Sequence, residues 1–189
     1  RTYRILSIVK DEYIGTFIGG AMLRNDNKDV QEEAGASWNA GKLISYKKGL
    51  QLLDTEPCLY NESEERYEFN AWWYCCFPMT VVNDKNLPLP IFIRGDDLEY
   101  GLRNMKNLIL MNGICVWHEP FENKYSSFLN YYITRNMFID NAFHFPDYGA
   151  GDAVKDFSLL ALREILLYRY KNARLLMRGV EDFLKGVDF

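Results

Sequence analysis

Two adjacent carboxylates, Asp96 and Asp97, stand just before a segment in which Leu98, Leu102 and Met105 recur at i, i+4 and i+7. That spacing predicts one apolar helical face and puts both acids at a helix N-terminus, where the dipole favours their ionised forms. An ionised carboxylate can take a proton from a sugar hydroxyl as general base, and ligands enter α/β sheets at the carboxyl ends of strands. The plain alternative is helix capping, the commoner task of Asp at such a position. His118 raises a similar choice. It closes the apolar run Val116-Trp117 and is followed by Glu119 and the chain-breaking Pro120. An imidazole can join carboxylates around a divalent ion if its second ring nitrogen has an orienting partner; a structural histidine is the alternative.

Trp72 and Trp73 form a third feature. Large aromatics are core material first, but on a strand adjacent side chains face opposite sides, so one indole is free to act as a flat platform for a sugar ring. Tyr74 and Trp38 are weaker candidates of the same kind. The chain has no G-x-x-x-x-G-K-S/T, G-x-G-x-x-G, G-x-S-x-G or H-E-x-x-H pattern. Gly19-Gly20 reads as a tight turn or a place of close backbone approach.

The elements that must position these residues follow from periodicity. Leu6, Val9 and Tyr13 predict an N-terminal helix ended by Gly15, then a strand over residues 16–23. Residues 24–39 read as a polar loop, 42–46 and 50–53 as short strands turning at Gly49, and 56–67 as an acidic surface connection. The aromatic run 69–77 predicts a buried strand ending at Pro78, Thr80 caps a brief helix to Asn83, and 87–93 is a strand with prolines at its start. Residues 108–117 make a further strand broken at Asn112-Gly113. From Tyr125 the pattern turns helical, with one element around 128–138, a break at 146–151, and one long helix over about 154–184.

Composition narrows the function class. In 189 residues, 48% hydrophobic and 15% aromatic content suffices for a substantial core, which argues against disorder. A net charge of -4 lacks the cationic excess that phosphate backbones require, which argues against nucleic acid as a partner. Arg163, Arg169, Lys171, Arg174 and Arg178 make the last third locally basic and leave peripheral membrane contact open. Cys58, Cys75, Cys76 and Cys115 lack zinc-type spacing and predict buried free thiols in a reducing compartment. With neither a spanning apolar stretch nor a secretory pattern, a cytoplasmic location is expected, with the inner face of the cell membrane left open. The start at Arg1 suggests a cut inside a longer protein.

Four segments taken in order carry a resemblance. They are Phe-Ile-Gly-Gly-Ala-Met-Leu (17–23), Asn-Ala-Trp-Trp-Tyr-Cys-Cys-Phe-Pro (70–78), Leu-Pro-Leu-Pro-Ile-Phe-Ile-Arg-Gly-Asp-Asp-Leu-Glu-Tyr-Gly-Leu-Arg (87–103) and Asn-Gly-Ile-Cys-Val-Trp-His-Glu-Pro-Phe (112–121). Together they resemble the galactofuranosyltransferase-like branch of the family 2 glycosyltransferases. The resemblance implies an α/β chain holding part of a GT-A (nucleotide-diphospho-sugar transferase) fold with a mixed sheet and C-terminal helices. It divides the chain into residues 1–122, the acceptor-side half of the transferase domain, and 123–189, a helical region. It further implies a nucleotide-sugar donor such as UDP-galactofuranose, a glycan or lipid-linked glycan acceptor, a divalent Mg or Mn ion, and inversion at the anomeric carbon. By motif match Asp97 is the catalytic base, Asp96, Trp72 and Trp73 bind the acceptor, and His118 is a metal ligand.

One departure is large. The D-x-D motif that binds donor diphosphate in this family has no counterpart here, Asn25-Asp26-Asn27 being no substitute, so the remaining metal ligands are expected before residue 1. The chain alone is therefore expected to transfer sugar poorly or not at all. A rhamnosyl- or other hexosyltransferase of the same fold, and a noncatalytic carbohydrate-binding module, remain as alternatives, and self-association stays open.

Overall fold

The computed structural model describes residues 2–9, 11, 14–91, 93–124 and 126–186. Tyr13, Phe92 and Tyr125, which entered the expected N-terminal helix, a strand and the helical onset, lie outside them. The architecture is mixed α/β, with a five-stranded sheet, a two-stranded ribbon and C-terminal helices. The chain forms two compact units that interleave along the sequence.

Of the described residues, the first unit comprises those within 2–38, 43–88 and 100–124. Its sheet centres on β1 (Phe17–Arg24), which pairs antiparallel with β2 (Val30–Glu33) and β6 (Cys75–Cys76) and parallel with β7 (Leu108–His118); β5 (Leu50–Gln51) extends the β2 edge. Phe17, Ile18, Met22 and Leu23 are all buried, as befits a central strand packed on both faces. The Gly pair within β1 makes no turn. A Cβ on Gly19 would lie 2.5 Å from Leu110 Cδ2, and one on Gly20 would lie 2.9 Å from the Ile114 carbonyl, so both glycines serve close packing. Strand β7 runs unbroken through Asn112-Gly113: Gly19 pairs with Leu110 and Ala21 with Cys115, so residues 111–114 bulge opposite Gly20. His118 is thus the last residue of a strand, opposite Arg24.

Several expected elements differ, each for a physical reason. Residues 24–39 are not all loop, because they hold β2 and β3 (Ala36–Asn39), the latter paired with β4 (Lys42–Ser45). The buried face of β2 is polar. Gln31 Nε2 donates to the Lys47 carbonyl and to Asn61 Oδ1, both at 3.0 Å, and Glu33 Oε2 accepts from Ser45 Oγ at 2.6 Å. Apolar alternation cannot reveal such a strand. Residues 56–67 include helix α2 (Thr55–Asn61), which buries none of its residues and carries Pro57 in its first turn, where no N–H is needed. The aromatic run is mostly a turn: Asn70 Nδ2 donates to the carbonyls of Ala71 (3.0 Å) and Tyr74 (2.8 Å), curling Trp72 and Trp73 out of strand geometry. Only residues 75–76 remain in the sheet. Thr80 lies inside a 3-10 turn over Met79–Val81 rather than ahead of a helix. The N-terminal helix α1 (Thr2–Val9) is present.

The second unit comprises residues 39–42, 89–99 and 125–186 of the described chain. Its helices are α4 (Leu129–His144), α5 (Ala150–Leu166) and α6 (Tyr170–Leu184). The single long helix expected over 154–184 is two, because Tyr168 adopts φ 57° and the N–H groups of residues 167–169 turn back onto the carbonyls of Arg163, Ile165 and Glu164. Helices α4 and α6 cross closely at Gly179, where a Cβ would lie 2.7 Å from the Tyr131 carbonyl. The Phe138 and Phe183 rings meet at 5.5 Å, and Tyr131 Oη donates to Asp182 Oδ2 at 2.9 Å. The expected strand over 87–93 is absent among the described residues. Pro88 and Pro90 lack amide protons, and Ile93, Arg94 and Gly95 turn the chain with φ of 58°, 77° and 98°. Asp96 and Asp97 therefore follow a tight turn, not a strand end.

None of the four cysteines forms a disulfide, as expected, but Cys58 is exposed and the others are half-buried. No described helix is long and apolar enough to cross a membrane. Arg163, Arg169, Lys171, Arg174 and Arg178 are all exposed.

Candidate active-site residues

Helix α3 (Asp96–Asn104) begins directly after Gly95, so neither acid is the residue preceding the helix; both lie in its first turn with Glu99. There they complement the positive end of the helix dipole. Asp96 and Asp97 are half-buried, and Asp97 Oδ1 accepts the Leu98 N–H at 2.9 Å. The Glu99 N–H reaches the Gly95 carbonyl at 2.7 Å and closes the turn.

The neighbours of this turn within the second unit were not evident in the sequence. Asn136, Asp140 and His144 recur at i, i+4 and i+8 along α4, a polar stripe whose first two members are buried. Asn136 Nδ2 donates to the Arg94 carbonyl, and His144 Nε2 lies 3.4 Å from Glu99 Oε1. Asp140 is only 2% exposed, and burial, reinforced by the charges of Glu99, Asp97 and Asp96, pushes its carboxyl up to about 8. Spacing alone could have flagged the stripe, since three polar residues on one helical face between apolar ones call for buried partners. Beside it, a cleft of about 550 Å³ is lined by His144, Tyr148, Asp156 and Lys42 among others. There Tyr148 Oη donates to Asp156 Oδ2 at 2.9 Å, and burial pushes the phenol up to about 12.

His118 and the indoles belong to the first unit. The Trp73 indole N–H donates to the Gly20 carbonyl at 3.1 Å, which fixes its ring plane, and its ring lies 6.4 Å from Phe121. Phe121 in turn packs 5.6 Å from the His118 ring, so Trp73, Phe121 and His118 form one aromatic row. Trp72 turns elsewhere, edge to face with Tyr100 at 5.6 Å. Arg24, opposite His118 in the sheet, binds Asp26 and Glu122 at 2.7 Å and Glu32 at 3.2 Å, which raises its already high pKa.

The expected metal can be tested on the donor set. His118 Nδ1 is buried without a hydrogen-bond partner among the described residues, while Nε2 stands 3.4 Å from Lys124 Nζ. No group of three or more His, Cys, Asp or Glu among the described residues could hold an ion. The imidazole thus fits one ligand position, but the described residues make no complete metal site.

No family model matches the chain. Among curated proteins it is 26% identical over 186 residues to the galactofuranosyltransferase GlfT2 of Mycolicibacterium smegmatis, covering 89% of this chain and 29% of that protein. It is 27% identical over 126 residues to the galactofuranosyltransferase GlfT2 of Mycobacterium tuberculosis, covering 63% of this chain and 20% of that protein. The chain therefore spans less than a third of the length of these relatives, and the similarity relates it to glycosyltransferases.

Proposed function

We propose that this chain is the acceptor-side part of an inverting glycosyltransferase that moves galactofuranose from UDP-galactofuranose to a growing cell-surface glycan, with Asp97 as the base. The observation that carries the reading is the placement of two half-buried carboxylates in the first turn of α3, directly after a tight turn, in a chain similar to galactofuranosyltransferases. The Asp97 carboxylate takes the proton of the acceptor hydroxyl as its oxygen bonds to the anomeric carbon. The bond from that carbon to the diphosphate breaks on the opposite face, and the nucleotide diphosphate leaves with the electron pair. Asp96 positions the acceptor, and Trp73, its plane fixed by the Gly20 carbonyl, offers a stacking face. Trp72 assists on the acceptor side. His118 supplies one imidazole to a divalent ion whose other ligands come from outside this chain.

The reading separates from that of a noncatalytic carbohydrate-binding module by two substitutions in the full natural polypeptide containing this segment. Asp97→Ala is expected to remove turnover while acceptor still binds in calorimetry. Trp73→Ala is expected to raise the acceptor KM about tenfold with kcat little changed, since one stacking contact is worth roughly 1 kcal/mol or somewhat more. A protein in which Asp97→Ala is silent and Trp73→Ala abolishes glycan binding is a binding module instead.

A further inference from the structure

The turn that delivers Asp97 is costly to hold. Ile93, Arg94 and Gly95 are all left-handed in succession, and the first is β-branched. Non-glycine residues are disfavoured in that region, so something outside the turn must fix it. Helix α4 does so at successive turns. Asn136, 1% exposed, binds the Arg94 carbonyl. Asp140, one turn later, places Oδ2 only 2.8 Å from where a Gly95 Cβ would stand, and no side chain fits between them. His144, a further turn on, brings Nε2 within 3.4 Å of Glu99 Oε1.

We propose that Asp140 positions Asp97: packed under Gly95 one turn from Asn136, it fixes the 93–97 turn and with it the direction of the Asp97 carboxylate. This rests on the reading of Asp97 as the base. Asp140 is not itself a catalytic residue, since it lies behind the turn and is closed to solvent. Its chemistry suits the task. It lies within electrostatic reach of Asp96, Asp97 and Glu99, with His144 on its own helix 3.4 Å from Glu99, and its Oδ1 is buried without a hydrogen-bond partner among the described residues. Near neutral pH the carboxyl holds its proton, so it packs against the turn without repelling the three acids. Losing that proton puts a negative charge beneath Gly95, beside these acids, and loosens the turn.

The test is the pH profile of kcat with UDP-galactofuranose and a glycan acceptor, measured in the full natural polypeptide for the wild type, Asp140→Ala, Asp140→Asn and Asp97→Ala. Asp140→Ala is expected to lower kcat roughly 10- to 100-fold with substrate KM values nearly unchanged, the signature of a misaimed base. The wild type is expected to lose activity as pH rises through about 8, and Asp140→Asn to restore most of kcat and remove that fall. If Asp97→Ala is inactive but Asp140→Asn keeps the wild-type alkaline limb, or Asp140→Ala folds and turns over normally, the positioning role is wrong and the base assignment survives. If Asp97→Ala retains turnover, the base assignment fails and this inference falls with it.

Discussion

A buried carboxyl that keeps its proton leaves a mark on stability as well as on turnover. Asp140 holds its proton up to about 8 in the fold, whereas an unfolded Asp loses it near 4. The folded state therefore binds a proton that the unfolded chain has released, and the contribution of Asp140 is complete below pH 4 and wanes between about pH 4 and 8. Asp140→Asn has no proton to lose. Its melting temperature relative to the wild type is expected to rise as pH goes from 5 to 8 in thermal unfolding, and a difference that is flat or falls contradicts the burial argument. At Gly95, φ is 98° and a Cβ would meet Asp140 and Asn136. Gly95→Ala is expected to cost about 1–3 kcal/mol by urea unfolding. At this scale Asp96, Asp97, Trp73 and His118 could be picked out from the sequence by type and setting; the spacing of Asn136, Asp140 and His144 could mark a polar stripe, but nothing in it announces which turn Asp140 lies beneath.

The elements divide by what holds them. Helix α3 was legible because Leu98 and Met105 are apolar and buried, and the centre of β1 was legible for the same reason. Strand β2 was hidden because its inward side chains are Gln31 and Glu33, satisfied by hydrogen bonds rather than by apolar contact. The tryptophan pair looked like a strand until the Asn70 amide curled it. The junction of α5 and α6 carries no Gly or Pro, so Tyr168 gave no sign that it would take a left-handed conformation. The Gly pair of β1 has a role that only packing reveals. Gly20→Ala sets a methyl 2.9 Å from the Ile114 carbonyl and 2.8 Å from the Tyr74 ring, and the backbone cannot yield easily. A loss of about 1–3 kcal/mol is expected in chemical denaturation, and a neutral substitution would show that β1 and β7 are less tightly packed than the structure has them.

For the whole molecule, similarity covers 89% of this chain but only 29% of one relative, so the relatives hold much that this segment does not. Among the described residues no cluster of three or more His, Cys, Asp or Glu could hold an ion. The 189-residue chain by itself is accordingly expected to turn over UDP-galactofuranose far more slowly than the full natural polypeptide, as measured by release of nucleotide diphosphate. What the account depends on most is that one carboxylate, Asp97, removes the acceptor proton. The most direct measurement is kcat of Asp97→Ala in the full natural polypeptide at saturating donor and acceptor. The account predicts a fall of about 10²- to 10⁴-fold, the usual worth of a general base, with acceptor affinity retained; a kcat equal to that of the wild type would contradict it.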